Sequence, residues 1–325
     1  MRGIAIPHRI PHACPGTADR RRDSHSRPPR GVRTRLGARK RRPTRHTLTL
    51  DLTVIVVALA LPAAAARAAV QASTISVVSA NTAATLSFLH DPHSTIAPYS
   101  NLMISISSEG HAAYSHPVDA VLCGSYCWPA LGISGSPVLR IADIERDGSP
   151  DVILGLYSGG AHCCFVTQVY RYDAAVGTYA VSQHDFADAS ARLRTLAGAP
   201  VFVSADDRFA YAFAPFAFSG LPVQIWSFAG GRFRDVTRRY PAEIAADAAR
   251  QYLAFTRNRG QHLGRGFIAA WAADEDLLGH SARVARTLKA QERRGALRSV
   301  TGFSGSGSAF VSQLEHFLAK KGYRR

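Results

Sequence analysis

Asp143-Ile-Glu145-Arg-Asp147-Gly148-Ser149-Pro150-Asp151, running directly into Val152-Ile-Leu-Gly-Leu-Tyr157, is the stretch on which the fold turns. Oxygen-bearing side chains stand at the first, third, fifth and ninth places, with glycine at the sixth. A tight turn at Gly148 aims the first three inward. The Ser149 carbonyl and Asp151 then complete an oxygen set suited to a hard cation such as Ca2+. Asp143, Glu145, Asp147, Ser149 and Asp151 are therefore candidate metal ligands. The plainer alternative is an acidic turn between two strands, Val138–Ile141 and Asp151–Tyr157, that binds nothing.

Outward from this loop, residues 75–236 read as strands. Leu102-Met-Ile-Ser-Ile-Ser alternates apolar and polar residues, and Glu109-Gly110-His111 makes a hairpin turn before Ala113–Val118. Phe165–Tyr172 continues the pattern. A weak repeat is present: Val166-Thr-Gln168-Val169-Tyr170-Arg-Tyr172 matches Pro222-Val-Gln224-Ile225-Trp226-Ser-Phe228. Arg192-Leu-Arg194 echoes Leu139-Arg140, and Pro200-Val-Phe-Val echoes Pro150-Asp-Val-Ile-Leu. In the second copy the acidic loop has shrunk to Ala197-Gly-Ala199. Units of this kind imply propeller-like or sandwich-like β assemblies.

Asp143, Asp147, Gly148 and Asp151 with the apolar strand after them resemble the calcium loop of FG-GAP and VCBS-type repeats, D-x-[DN]-x-[DN]-G-x-x-D. Glu145 departs from that pattern, and Arg146 adds positive charge. The resemblance covers residues 137–172 well and 192–236 poorly. It implies a β-repeat fold and a non-catalytic extracellular role.

Past Arg239 the period becomes helical. Ile244, Ala248, Tyr252 and Phe255 mark one helix. Phe267, Trp271, Leu277 and Leu278 mark a second, ended by Gly279. Val284 and Leu288 lie in a third, from Ser281 to Arg294. Phe310, Val311, Leu314, Phe317 and Leu318 mark a fourth, with Ser308 placed to cap it. The fold class expected is α+β: a β-repeat domain over 69–237, then a small basic helical bundle over 238–325.

The chain has 325 residues and a formal net charge of +16. Residues 1–68 carry a net +12, residues 69–237 a net −5 and residues 238–325 a net +9. Residues 1–47, rich in Arg, Pro, His and Ser, read as a disordered basic leader. They lack the interleaved aromatics and the fold that nucleic-acid binding would need. In 48–68, the apolar run Leu52–Leu61 follows Arg39-Lys-Arg-Arg and precedes Ala63–Ala69, the pattern of a secretory signal peptide. Cleavage is expected at Ala66-Arg67-Ala68, or else at Ala64-Ala65-Ala66. The run is shorter than the roughly 20 residues of a spanning helix, so a membrane is involved only if the signal is retained. The localisation expected is secreted or cell envelope.

The exported part would hold Cys123, Cys127, Cys163 and Cys164. An even number in an oxidising compartment favours disulfides. Adjacent Cys163 and Cys164 have Cα atoms about 3.8 Å apart, below the usual disulfide range. They are expected to bond to Cys123 and Cys127 in either order, each bridge closing about 40 residues and contributing about 3–4 kcal/mol. The competing reading places Cys thiolates and His162 around Zn2+.

Asp206-Asp207-Arg208 offers paired carboxylates beside a cation, the material of acid–base catalysis. With His162 it forms the candidate polar site. The structural reading is a polar turn, with one aspartate pairing Arg208, leading into a strand that sets Phe209, Tyr211 and Phe213 on one face. Arg283, Arg286, Lys289, Arg293 and Arg294 cover one side of the third helix. No G-x-S-x-G, H-E-x-x-H, P-loop or Rossmann fingerprint occurs. Together these features imply an exported, non-catalytic binding or structural module of the cell envelope, braced by calcium. Its expected partners are an anionic wall polymer, a glycan or another envelope protein. The rivals are an exported hydrolase using Asp206/Asp207 or a zinc site, and a helical interaction protein with the β part as scaffold.

Overall fold

Period-two alternation with turn residues between the runs produces antiparallel strands, and here it does so three times over. In the computed structural model, the described residues are 69–324 without 120, 124–126, 134, 161–162, 299–302, 304 and the side chain of Cys163. The leader and signal segment therefore lie outside the described residues, as does His162.

The first sheet is a meander of β1 (Gln71–Ser79), β2 (Thr82–His90), β3 (Tyr99–Ser108) and β4 (Tyr114–Pro117). The Glu109–His111 turn joins the last two, which pair antiparallel from Met103↔Pro117 to Ile106↔Tyr114. The second sheet holds β5 (Trp128–Pro129), β6 (Leu139–Ala142), β7 (Asp151–Gly160), β8 (Cys163–Asp173) and β9 (Thr178–Asp185), with β5 and β6 both paired to β7. The third is a meander of β10 (Arg192–Leu196), β11 (Ala199–Ala205), β12 (Val223–Ala229) and β13 (Arg232–Asp235).

Core membership shows how the sheets stack. Leu86, Ile104 and Ile106 of the first sheet pack with Val152, Leu154, Val166 and Tyr170 of the second. The opposite face of β7 and β8, through Ile153 and Val169, packs with Phe202 and Phe228 of the third sheet. The second sheet is thus buried on both sides, which is why β7 reads as an unbroken apolar run rather than an alternating one. Val201, Val223 and Ile225 on the far face of the third sheet meet Ile244, Leu277 and Leu278 of the helices.

Four helices follow: α1 (Pro241–Asn258), α2 (Arg265–Leu277), α3 (Ser281–Arg293) and α4 (Ser308–Lys320). The architecture is α+β, and strands and helices belong to one compact unit over Ala64–Arg325. Among the described residues, no helix is long and apolar enough to cross a membrane.

Two local expectations fail. Phe209, Tyr211 and Phe213 do not share a strand face: Asp207–Phe209 is a 3-10 turn, and Tyr211 is left-handed (φ 57°) and exposed. The cause is the Asp206 carboxylate, which accepts from the Arg208 backbone N–H and starts the turn. Phe209 and Phe213 are buried even so, against the helices rather than within a sheet. Ser308 is not the cap of α4. Gly307 holds that place with no side-chain cap hydrogen bond.

Candidate functional site

Gly148 turns the acidic loop with φ +87°, and Arg146 is left-handed as well at φ 62°. The loop's oxygens are committed within the fold. Asp143 accepts from the backbone N–H of Asp147 (3.2 Å) and Gly148 (3.0 Å), and Asp147 accepts from Ser149 N–H (2.8 Å). Asp151 is buried and accepts from Ile144 N–H at 3.1 Å. Glu145 reaches to the neighbouring strands. It pairs with Arg171 Nε of β8 at 3.3 Å and accepts from Gly230 N–H in the β12–β13 turn. That turn is further held by Ser182 Oγ of β9, which donates to Gly231 O at 2.6 Å.

Burial, reinforced by the charges of Glu145, Asp147 and Asp143, pushes the Asp151 carboxyl up to about 7. The arrangement does not fit the oxygen cage that the FG-GAP/VCBS resemblance implies. Its third-place ligand, Glu145, lies against Arg171 instead. Among the described residues, no three His, Cys, Asp or Glu side chains are gathered as a metal site.

The cysteines depart from the expected cross-pairing. Cys123 is bonded to Cys127, with Cα atoms 5.2 Å apart. That separation lies within the usual disulfide range. Cys164 is disulfide-bonded too, so its partner is neither of these. A bridge closing so short a loop contributes about 2 kcal/mol in the chain-entropy picture, less than the long loops expected. With these three sulfurs in disulfides, the thiolates required by the zinc alternative are gone.

Asp206, Asp207 and Arg208 separate into two roles. Asp206 is 2% exposed. It takes the Arg208 guanidinium through Nε at 2.8 and 2.9 Å and through a terminal nitrogen at 2.5 Å. It also accepts from the Tyr323 hydroxyl at 2.6 Å, which ties the end of β11 to the chain after α4. Asp207 turns instead to the β9–β10 connection. Asp188 N–H donates to Asp207 Oδ1 at 3.2 Å. Burial and the Asp207 charge raise Asp188 to about 7. Asp207 lines a cleft of about 350 Å³ whose wall also holds His184, Asp185, Trp226 and Asp235. Burial lowers the His184 pKa, favouring the neutral ring, which stacks on Phe233 with centroids 5.2 Å apart.

The junction with the helices carries a second buried acidic group. Asp247 of α1 accepts from Val223 N–H of β12 (3.1 Å) and from Arg250 (2.8 Å). Beside it, burial and the Asp247 charge push Asp274 of α2 up to about 10, both of its carboxyl oxygens being buried. Nothing in the sequence pattern flagged Asp188, Asp247 or Asp274. Their importance comes from neighbours far along the chain.

No protein-family model matches this chain. It is 28% identical over 194 residues to a probable thylakoid lumen protein of Synechocystis sp., covering 54% of this chain and 56% of that protein. It is 29% identical over 173 residues to an uncharacterized protein of Sinorhizobium fredii, covering 50% and 26% respectively. The chain thus spans about half and about a quarter of these two relatives' lengths. A solved Xanthomonas type IV secretion system related protein matches at 13% identity and a TM-score of 0.23, over 50% of this chain and 93% of that one. That TM-score is too low to carry an argument about fold or role.

Proposed function

We propose that this chain is an exported, non-catalytic binding or structural module of a cell envelope, in which loop 143–151 braces the second sheet to the third. The observation that carries the reading is the position of Glu145. One carboxylate oxygen faces Arg171 of the second sheet and the other takes Gly230 N–H of the third. The resemblance assigns this work to calcium; in this reading a guanidinium and loop amides do it. Export is supported by the Cys123–Cys127 disulfide, a bond that persists in oxidising compartments. It is also supported by the apolar run Leu52–Leu61 behind a basic flank, and by the printed name of the cyanobacterial relative as a lumen protein.

N-terminal sequencing of the protein recovered outside the cytoplasm tests export, with a start at Ala69 or at Arg67 expected. A product found only in the cytoplasm with the leader intact contradicts it.

A hydrolase is the second reading. It is favoured by one observation, Asp207 on the wall of a cleft, held by the Asp188 backbone N–H and beside an Asp188 carboxyl raised to about 7. Turnover of a wall glycan by the wild type, lost in Asp207→Asn, would put this reading first. Equal inactivity of both keeps the non-catalytic reading.

A further inference from the structure

The third helix presents a row of cations that nothing in the fold uses. Val284, Leu288 and Gln291 of α3 are buried. Arg286, Lys289, Arg293 and Arg294 are all exposed on the other side. Arg283, at the head of the row, is spent on Glu275 at 2.9 Å. Among the described residues, none of the four later cations forms an ion pair. The helix's own carboxylate, Glu292, faces Gly307 instead: a Cβ there would stand 3.7 Å from its Oε1. Spacings of three and four residues line Arg286, Lys289 and Arg293 along about 10 Å of one helix side.

We propose that this face of α3 binds a linear, phosphate-bearing polyanion. Three of the four cations are arginines, whose planar fork matches phosphate oxygens. An insertion surface for a membrane would need large apolar side chains beside the cations. Among the described residues, the exposed large apolar side chains all lie elsewhere, and α3 exposes Ala282 and Ala285 there. Protein interfaces centre their hot spots on buried Trp and Tyr as well as Arg, and this face offers exposed cations with neither aromatic beside them. Base-stacking side chains are also missing from it, so binding follows phosphate charge rather than base sequence. The choice of a wall polymer as the natural source rests on the exported reading. The face itself can be tested without it.

The full chain carries a basic leader that would also bind polyanions, so the readout must resolve single residues. Lysines occur only at 40, 289, 320 and 321. Long-chain inorganic polyphosphate is added at low salt, and amine labelling is followed lysine by lysine by mass spectrometry. Protection of Lys289 on the order of tenfold is expected, fading steeply with added salt, while exposed Lys320 is protected much less. In Arg286→Gln/Arg293→Gln/Arg294→Gln the protection of Lys289 disappears with the melting temperature unchanged. Lys289 labelled equally with and without polyphosphate overturns the proposal, as does protection no greater than that of Lys320. So does protection by anionic vesicles alone, or by single-stranded nucleic acid in a base-dependent way. None of these outcomes depends on where the protein is found, so failure of this face and failure of export are read separately.

Discussion

The Tyr323 hydroxyl donates to Asp206 Oδ2 at 2.6 Å across 117 residues of sequence, both side chains being buried. This bond joins the turn after β11 to the segment that follows α4. It sits where Phe209 packs edge-on against Tyr323, with ring centroids 5.4 Å apart. Tyr323→Phe keeps the ring packing and removes the donor, so it should cost about 1–3 kcal/mol. Urea denaturation checks this: a lowered midpoint with unchanged slope is expected. Asp206→Ala should cost more, because it strands both the hydroxyl and the Arg208 guanidinium. Equal midpoints for wild type and Tyr323→Phe would remove this bond from the account of how strands and helices hold together.

Gly266 makes the same junction sensitive to one methyl group. A Cβ on Gly266 would stand 2.2 Å from the Phe218 carbonyl oxygen and 2.8 Å from Ser219 Cα. Alanine is the better helix former by about 1 kcal/mol. Here, however, the backbone of α2 or of 218–220 must move, an overpacking cost of about 1–3 kcal/mol. Gly266→Ala should therefore lower the melting temperature. Gly260→Ala, where a Cβ meets nothing within 4 Å, should not. Thermal melts of the two variants side by side check the contrast.

Acidity should stabilise this protein. In the fold, Asp151 and Asp188 are raised to about 7 and Asp274 to about 10, by burial first in each case. The unfolded chain releases these protons near pH 4, so between that pH and the folded pKa values the native state holds more protons. Stability then falls as pH rises. The contribution of Asp151 and Asp188 is full below about pH 4 and is lost as pH climbs through about 7; that of Asp274 goes on falling to about 10. The melting temperature at pH 5 should exceed that at pH 8, and Asp274→Asn should flatten the alkaline side of the curve. A melting temperature that rises from pH 5 to pH 8 would contradict the placement of these three carboxyls.

Non-reducing peptide mapping should find Cys123 and Cys127 in one cross-linked peptide and no free thiol at Cys164. A peptide joining Cys123 or Cys127 to Cys164 would restore the cross-pairing that sequence spacing favours.

The strands around the acidic loop and the four helices were readable because period two and period 3.6 are local properties of the chain. So was the turn at Gly148, since only glycine takes that conformation freely. Sequence reasoning failed where a side chain's partner lies far along the chain. The spacing of Glu145 suggested a metal ligand, yet its partners are Arg171 and the Gly230 amide. Asp206 and Asp207 looked like one pair, and long-range partners divide them between Tyr323 and Asp188. Adjacent cysteines suggested distant bridges, while Cys123 bonds Cys127 at a sequence separation of 4.

The brace itself is tested most directly by calorimetry of the wild type and of Arg171→Met, each with millimolar calcium and with chelator. The account predicts that calcium leaves the wild-type midpoint where chelator leaves it, and that Arg171→Met unfolds earlier under both conditions. A midpoint raised by calcium in the wild type, with the gain abolished by Asp147→Ala, would contradict it and return the loop to the role of a metal site.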